Sequence, residues 1–205
     1  MVGTHDGGCQ CHQASADQIV DGTHWLNDRI DLDNIVVINE KDPGSCSDLF
    51  RPHSLRTADQ EVPCSPEERE EGLVICVPFS CPVKITGLTV IGGDNGKSPC
   101  KVNLFANLSD PTSVMDVISP TQSVDLVEDF CGTIEYPLRV TRFSQVNYLT
   151  LEFPPSGDMQ VFWIGLKGIA SGDARKAVVT VYESRANLAD HQKTPQSDLS
   201  SKQIH

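Results

Sequence analysis

Between about Ser15 and Ser184 the apolar residues come in short runs of roughly 5 to 8, separated by turn-forming clusters such as Gly92–Gly96, Ser109–Pro111 and Pro154–Gly157. Runs of that length with such punctuation read as β-strands. Alternation is clearest in Val146–Phe153, where Leu149, Leu151 and Phe153 share one face with Asn147 while Thr150 and Glu152 point the other way. That is the pattern of a half-buried strand. Lys101–Ala106, with Val102, Leu104 and Ala106 in phase, and Ala177–Tyr182, with Ala177, Val179 and Val181 in phase, read alike. In Val83–Ile91 the phase changes between Ile85 and Leu88, which predicts a β-bulge at Gly87. Leu73–Val77 and Val161–Leu166 are almost continuously apolar and are expected to be central, well-covered strands.

The core is expected to include Leu104, Leu149, Leu151, Phe153, Ile164 and Val179, which fall on the apolar phase of their runs. Asn95-Gly96, between two strand-like runs, predicts a hairpin turn. Helical hints are confined to Arg29–Ile35 and to Pro66–Glu71, whose acidic residues suit a helix N-terminal turn. With no internal repeat and no long helix between the strands, the pattern predicts an all-β sandwich or jelly roll. Residues 1–14 are a Gly/His/Cys tail and 188–205 a polar tail, both nearly without apolar residues, so one domain is expected over residues 15–187.

Charge narrows the partners. The chain has 205 residues, 16 Lys and Arg against 28 Asp and Glu, a net charge of −12 and a pI near 4.8. It lacks the basic footprint that a phosphate backbone or an anionic lipid surface requires, so neither nucleic acid nor membrane is an expected partner. No apolar run reaches the length of a spanning helix, the first 13 residues lack the apolar stretch of a signal peptide, and no lipidation motif is present. The chain is thus expected to be soluble and unexported, and its eight cysteines to be free thiols in a reducing compartment.

Candidate chemistry is sparse. Gly92–Ser98 ends in Gly-Lys-Ser like a phosphate loop, but Ile91 stands where the first fixed glycine belongs, and Pro99 and a strand follow in place of a helix. There is no Gly-x-Ser-x-Gly elbow and no Cys-x-x-Cys. The six histidines, His5, His12, His24, His53, His191 and His205, stand in no apolar strand and no zinc-protease frame, and are expected to be solvated loop residues. An enzyme is the weaker class. His5, Cys9, Cys11 and His12 form the one dense cluster of soft ligands, but a second fixed pair is missing. Cys9, Cys11 and His12 therefore stand as metal candidates against a flexible, redox-sensitive tail. Asp28, Asp31 and Asp33 lack the calcium-loop frame and are read as capping and first-turn charges. A sugar-binding face would want exposed tryptophans, and of the two present Trp163 sits in an apolar strand, leaving Trp25.

Arg29–Glu40, Leu73–Phe79 with Val83-Lys84 after it, Val102–Asn107, Arg142–Val146, Val161–Gly168 and Tyr182–His191 together resemble the PITH domain. This is the proteasome-interacting module found at the C-terminus of thioredoxin-like proteins and alone in small proteins. The likeness runs from about Ser15 to His191, and the Gly-Gly-Cys-Gln-Cys start looks like the stand-alone members, with no thioredoxin domain before the module. The family's Ser-Asp dipeptide before the strand leading into Pro-Phe is absent, although Pro63–Gly72 keeps the acidic stretch.

The resemblance implies a jelly-roll β-sandwich similar to galactose-binding-like domains, with no catalytic residues and no cofactor. It implies a monomeric adaptor associated with the 26S proteasome regulatory particle in cytoplasm and nucleus. Glu67, Glu68, Glu70 and Glu71 are the expected partner-binding residues, and a lectin-like or other small-ligand-binding sandwich is the alternative. His205 adds one more expectation, that a terminal imidazole and carboxylate reach into a partner's open catalytic zinc site.

Overall fold

A single 20-residue strand, β3 (Leu73–Gly92), runs through what the hydrophobic pattern divides into two, and the fold is organised around it. The computed structural model describes residues 22–171 apart from 59–61, 69, 109 and 117–118. The other strands are β1 (His24–Trp25), β2 (Val36–Ile38), β4 (Lys101–Ala106), β5 (Gln122–Asp125), β6 (Tyr136–Pro137), β7 (Val146–Phe153) and β8 (Val161–Ala170). The first half of β3 lies between β2 and β7, with β4 and then β5 beyond β7. Its second half lies between β8 and β6, with β1 outside β8. All these pairings are antiparallel. The β7 ladder shifts register between Pro78 and Val83, where β8 takes over. One strand shared between two sheets makes a corner of the sandwich, and this is an all-β jelly roll.

Leu73, Ile75 and Val77 of β3 face inward with Leu149, Leu151 and Phe153 of β7 and with Val102 and Leu104 of β4. Ile85, Leu88, Ile164 and Leu166 close the same core from the other sheet. Ile85 and Leu88 both reach it because the pairing with β8 shifts between Ile85 and Gly87, the position of the expected bulge. Leu104, Leu149, Leu151, Phe153 and Ile164 are fully buried, as expected, whereas Val179 and the whole Ala177–Tyr182 run lie outside the described residues.

Three expectations of local structure are corrected. The Asp94–Lys97 turn is tight, with Asn95 and Gly96 at positive φ and Lys97 N–H donating to Asp94 O, yet it joins no hairpin, because β7 separates β3 from β4. Local turn chemistry fixes the reversal but not the neighbour of each strand. The described residues of Pro66–Glu71 form no helix: Pro66 bridges to Glu40, and beyond it the chain bends until Glu71 N–H turns back to Glu68 O. Arg29–Ile35 holds no α-helix but the end of one 3-10 turn, Asn27–Arg29, and the whole of another, Leu32–Asn34, neither with a side-chain cap bond.

Thr150 points away from the main core as its phase demands, but it is buried by a second small cluster of Val74, Phe105 and Val114 with Ile38 and Leu108. Its hydroxyl donates to Leu108 O at 2.9 Å, and burial pushes the neighbouring Cys76 thiol up. The expectation of free thiols fails at Cys46 and Cys64, which form a disulfide. The 3-10 turn Ser45–Phe50 carries Cys46 to a fully buried position beside Cys64, a proximity that compartment arguments do not address. Cys76, Cys81, Cys100 and Cys131 remain thiols.

Candidate interaction surface

Just past β2 the chain turns at Asn39, whose φ of 64° is left-handed. Asparagine tolerates that region better than most residues, and its amide both donates and accepts. Here Nδ2 donates to the carbonyls of Glu68, Glu71 and Gly72 at 3.1–3.2 Å, and Oδ1 accepts from Glu68 N–H at 2.9 Å. Glu67 N–H donates to Asn39 O, and the bridge from Glu40 to Pro66 continues the contact. At the base of the segment Cys64 pairs with Val161 and is bonded to Cys46, whose N–H donates to the Glu40 carboxylate at 2.7 Å.

Glu67, Glu68, Glu70 and Glu71 are therefore four exposed carboxylates beside backbone groups that the Asn39 amide pins, in a segment whose start is anchored by the Glu40–Pro66 bridge. Asn39→Gly keeps the left-handed turn and removes the pins. Amide exchange at Glu68 is expected to quicken by about tenfold or more, equivalent to losing roughly 1.4 kcal/mol of local protection. Unchanged exchange would show that the loop is held by something else.

Glu67 also lines an open cleft of about 320 Å³ with Lys41, Ser65, Lys97, Asp158 and Gln160. Lys97 belongs to the glycine-rich turn that resembles a phosphate loop. The chain passes from that turn to β4 and not into a helix, so the turn brings no helix dipole to the cleft.

The aromatic residues make a separate cluster. Trp163 is buried and donates from Nε1 to Arg51 O at 2.9 Å. Trp25 stacks on His53 with ring centroids 4.3 Å apart and meets the edge of Trp163 at 5.6 Å. Lys167 Nζ, 3.1 Å from Glu135, lies over the Trp25 ring at 5.7 Å. Trp25 is thus engaged by three side chains rather than left as a sugar platform. This also corrects the reading of two histidines, since His53 is a half-buried stacking partner and His24 lies in β1.

Cys9, Cys11, His12 and His205 lie outside the described residues. Among the described residues no three His, Cys, Asp or Glu side chains are grouped to hold a metal ion, and no helix is long and apolar enough to cross a membrane. Two organising residues escaped the sequence reading. One is Asn39. The other is buried Asp129, whose carboxylate accepts from the N–H groups of Cys131, Gly132, Thr133 and Ile134 at 2.7–2.9 Å. The signal for either is an Asn or Asp within two residues of the end of an apolar run, which marks many ordinary turns as well.

Strand order and surface together define a jelly-roll β-sandwich that presents a pinned acidic loop. The PITH domain model matches residues 16–186, and the chain belongs to that family. PITH domain-containing protein 1 of Dictyostelium discoideum is 35% identical over 192 residues, 89% of this chain and 92% of the relative. The Homo sapiens protein of the same name is 31% identical over 201 residues, covering 93% and 94%. Among solved structures, the family 32 CBM from C. perfringens NanJ in complex with galactose superposes with a TM-score of 0.48 at 8% identity, covering 71% of this chain and 98% of that one. Allantoicase superposes at 0.46 and 15%, covering 66% and 40%. The strand pairing, not these likenesses, defines the fold.

Proposed function

We propose that the chain is a non-enzymatic interaction module, an adaptor that associates with the 26S proteasome regulatory particle in cytoplasm and nucleus. The observation that carries this reading is the run Glu67, Glu68, Glu70 and Glu71, exposed beside backbone groups of Glu68, Glu71 and Gly72 that are bonded to Asn39 before any partner arrives. Family membership and the net charge of −12 support it. A fixed acidic epitope loses little conformational entropy on binding and speeds encounter with a basic surface. The lectin-like alternative loses its one candidate platform, because Trp25 is engaged by His53, Trp163 and Lys167.

Affinity purification of the full chain from lysate is expected to bring down regulatory-particle subunits in stoichiometric amounts, and their absence would end the reading. Within it, charge reversal at Glu70 and Glu71 is expected to lower the association rate with purified proteasome at low salt and to flatten its salt dependence. An unchanged rate at low salt would reject the run as a contact.

A further inference from the structure

The edge of the first sheet formed by β2 has a feature that the acidic-loop reading does not use. Pro78 O accepts from Asp31 N–H at 3.0 Å, so the Pro78 carbonyl faces the β2 side. Residues two apart in a strand turn their backbone groups the same way, so Cys76 and Val74 also face β2. Their register partners Val36 and Ile38 carry the ladder to β3. The N–H and C=O of Ile35 and Val37 therefore point away from it, and Ile35 continues the extended backbone with φ −66° and ψ 131°. Among the described residues no strand pairs with that side of β2.

Two donors and two acceptors at a two-residue spacing are half of a ladder. Beside them lies a groove of about 220 Å³ lined by Leu32, Ile35, Val37, Glu40, Gly44 and Ser47. Leu32 is 46% exposed and Val36 49% exposed, large values for aliphatic residues.

We propose that this edge is a strand-addition site for an extended peptide of alternating apolar and basic residues supplied by another protein. The backbone of Ile35 and Val37 supplies the hydrogen bonds, and the groove takes an apolar side chain on the core side of the added strand. Charge selects the occupant: residues 31–48 contain Asp31, Asp33, Glu40, Asp42 and Asp48 against the single base Lys41. A second copy of this chain would set acid against acid across the new ladder, whereas lysine or arginine in the added strand meets it.

The proposal is independent of the proteasome reading, and its test uses none. The probe is a synthetic hexapeptide of alternating lysine and valine, added to the full chain. The amides of Ile35 and Val37 are expected to slow in hydrogen exchange by about tenfold or more on saturation while those of Val36 and Ile38 stay as they were. Val37→Pro removes an outward N–H without touching the β3 ladder, a substitution that edge strands accept, and is expected to weaken binding by about tenfold. Should that variant fold poorly, N-methylation of the peptide at alternate residues leaves the protein unchanged and is expected to weaken binding in one phase only. Binding insensitive to N-methylation in both phases would overturn the proposal, as would unchanged exchange at Ile35 and Val37 under saturation. Protection of those two amides before peptide is added would overturn it too, since the chain itself, or a second copy if protection rises with protein concentration, would then occupy the edge.

Discussion

Leu151→Ala is expected to lower the free energy of unfolding by about 2 to 5 kcal/mol, read from the midpoint of a urea titration with the slope unchanged. Leu151 is fully buried at the centre of β7, opposite Ile75 on one side and Leu104 on the other. Both neighbours sit on ladders that hydrogen bonds fix at their spacing, so the backbone cannot close on the space the side chain leaves. The transfer loss and the cavity then add, which is the regime of the larger values. Thr150, next in sequence and equally buried, gives the contrast. It faces the small second cluster, so Thr150→Ala removes one methyl and one hydrogen bond, at about 1 to 2 kcal/mol. A Leu151→Ala effect below about 0.5 kcal/mol would mean that the phase of β7 is reversed.

That phase was readable because Leu149, Leu151 and Phe153 alternate with polar residues, and one sheet face is a two-residue rule. The bulge at Gly87 was readable for the same reason, as a slip in that rule. Sheet order was not. Which strand lies beside which depends on crossovers, and Asn95-Gly96 has the chemistry of a hairpin whether or not its flanking strands pair. Nor did any residue announce that Leu73–Phe79 and Val83–Ile91 are one strand: Ser80-Cys81-Pro82 reads as a break, and in the sandwich it is the corner where β3 leaves β7 for β8.

At the candidate surface the acidic residues were legible from composition alone, but what fixes them was not. The pin is Asn39, more than 25 residues earlier in the chain, brought to the loop by the β2–β3 register and the Glu40–Pro66 bridge. The disulfide is hidden in the same way. Cys46 and Cys64 meet because a 3-10 turn and a strand bridge converge, and spacing in sequence carries no mark of that.

Asp129→Asn is expected to destabilise the fold by about 2 to 4 kcal/mol although it changes no volume. The carboxylate of Asp129 is nearly buried and acts only as an acceptor, Oδ1 taking the N–H groups of Cys131 and Gly132 and Oδ2 those of Thr133 and Ile134. An amide can satisfy one such pair with its oxygen. Its nitrogen must then face the other pair, donor against donor at a separation near 2.7–2.9 Å, and no flip of the amide removes the conflict. Hydrogen bonds to a charged acceptor contribute about 1.5 to 3 kcal/mol each, and the loss stays below the sum because the released N–H groups lie in a loop that water can reach. The damage should spread to the neighbouring turn, since Arg56 donates to Cys131 O at 3.0 Å and to His53 O, and His53 stacks on Trp25. Chemical denaturation followed by tryptophan fluorescence reads both effects, because the indole of Trp25 reports the stack while the midpoint reports the fold. A variant with the parent midpoint and the parent emission would show that the four N–H groups find other acceptors, and that the carboxylate does not hold the loop.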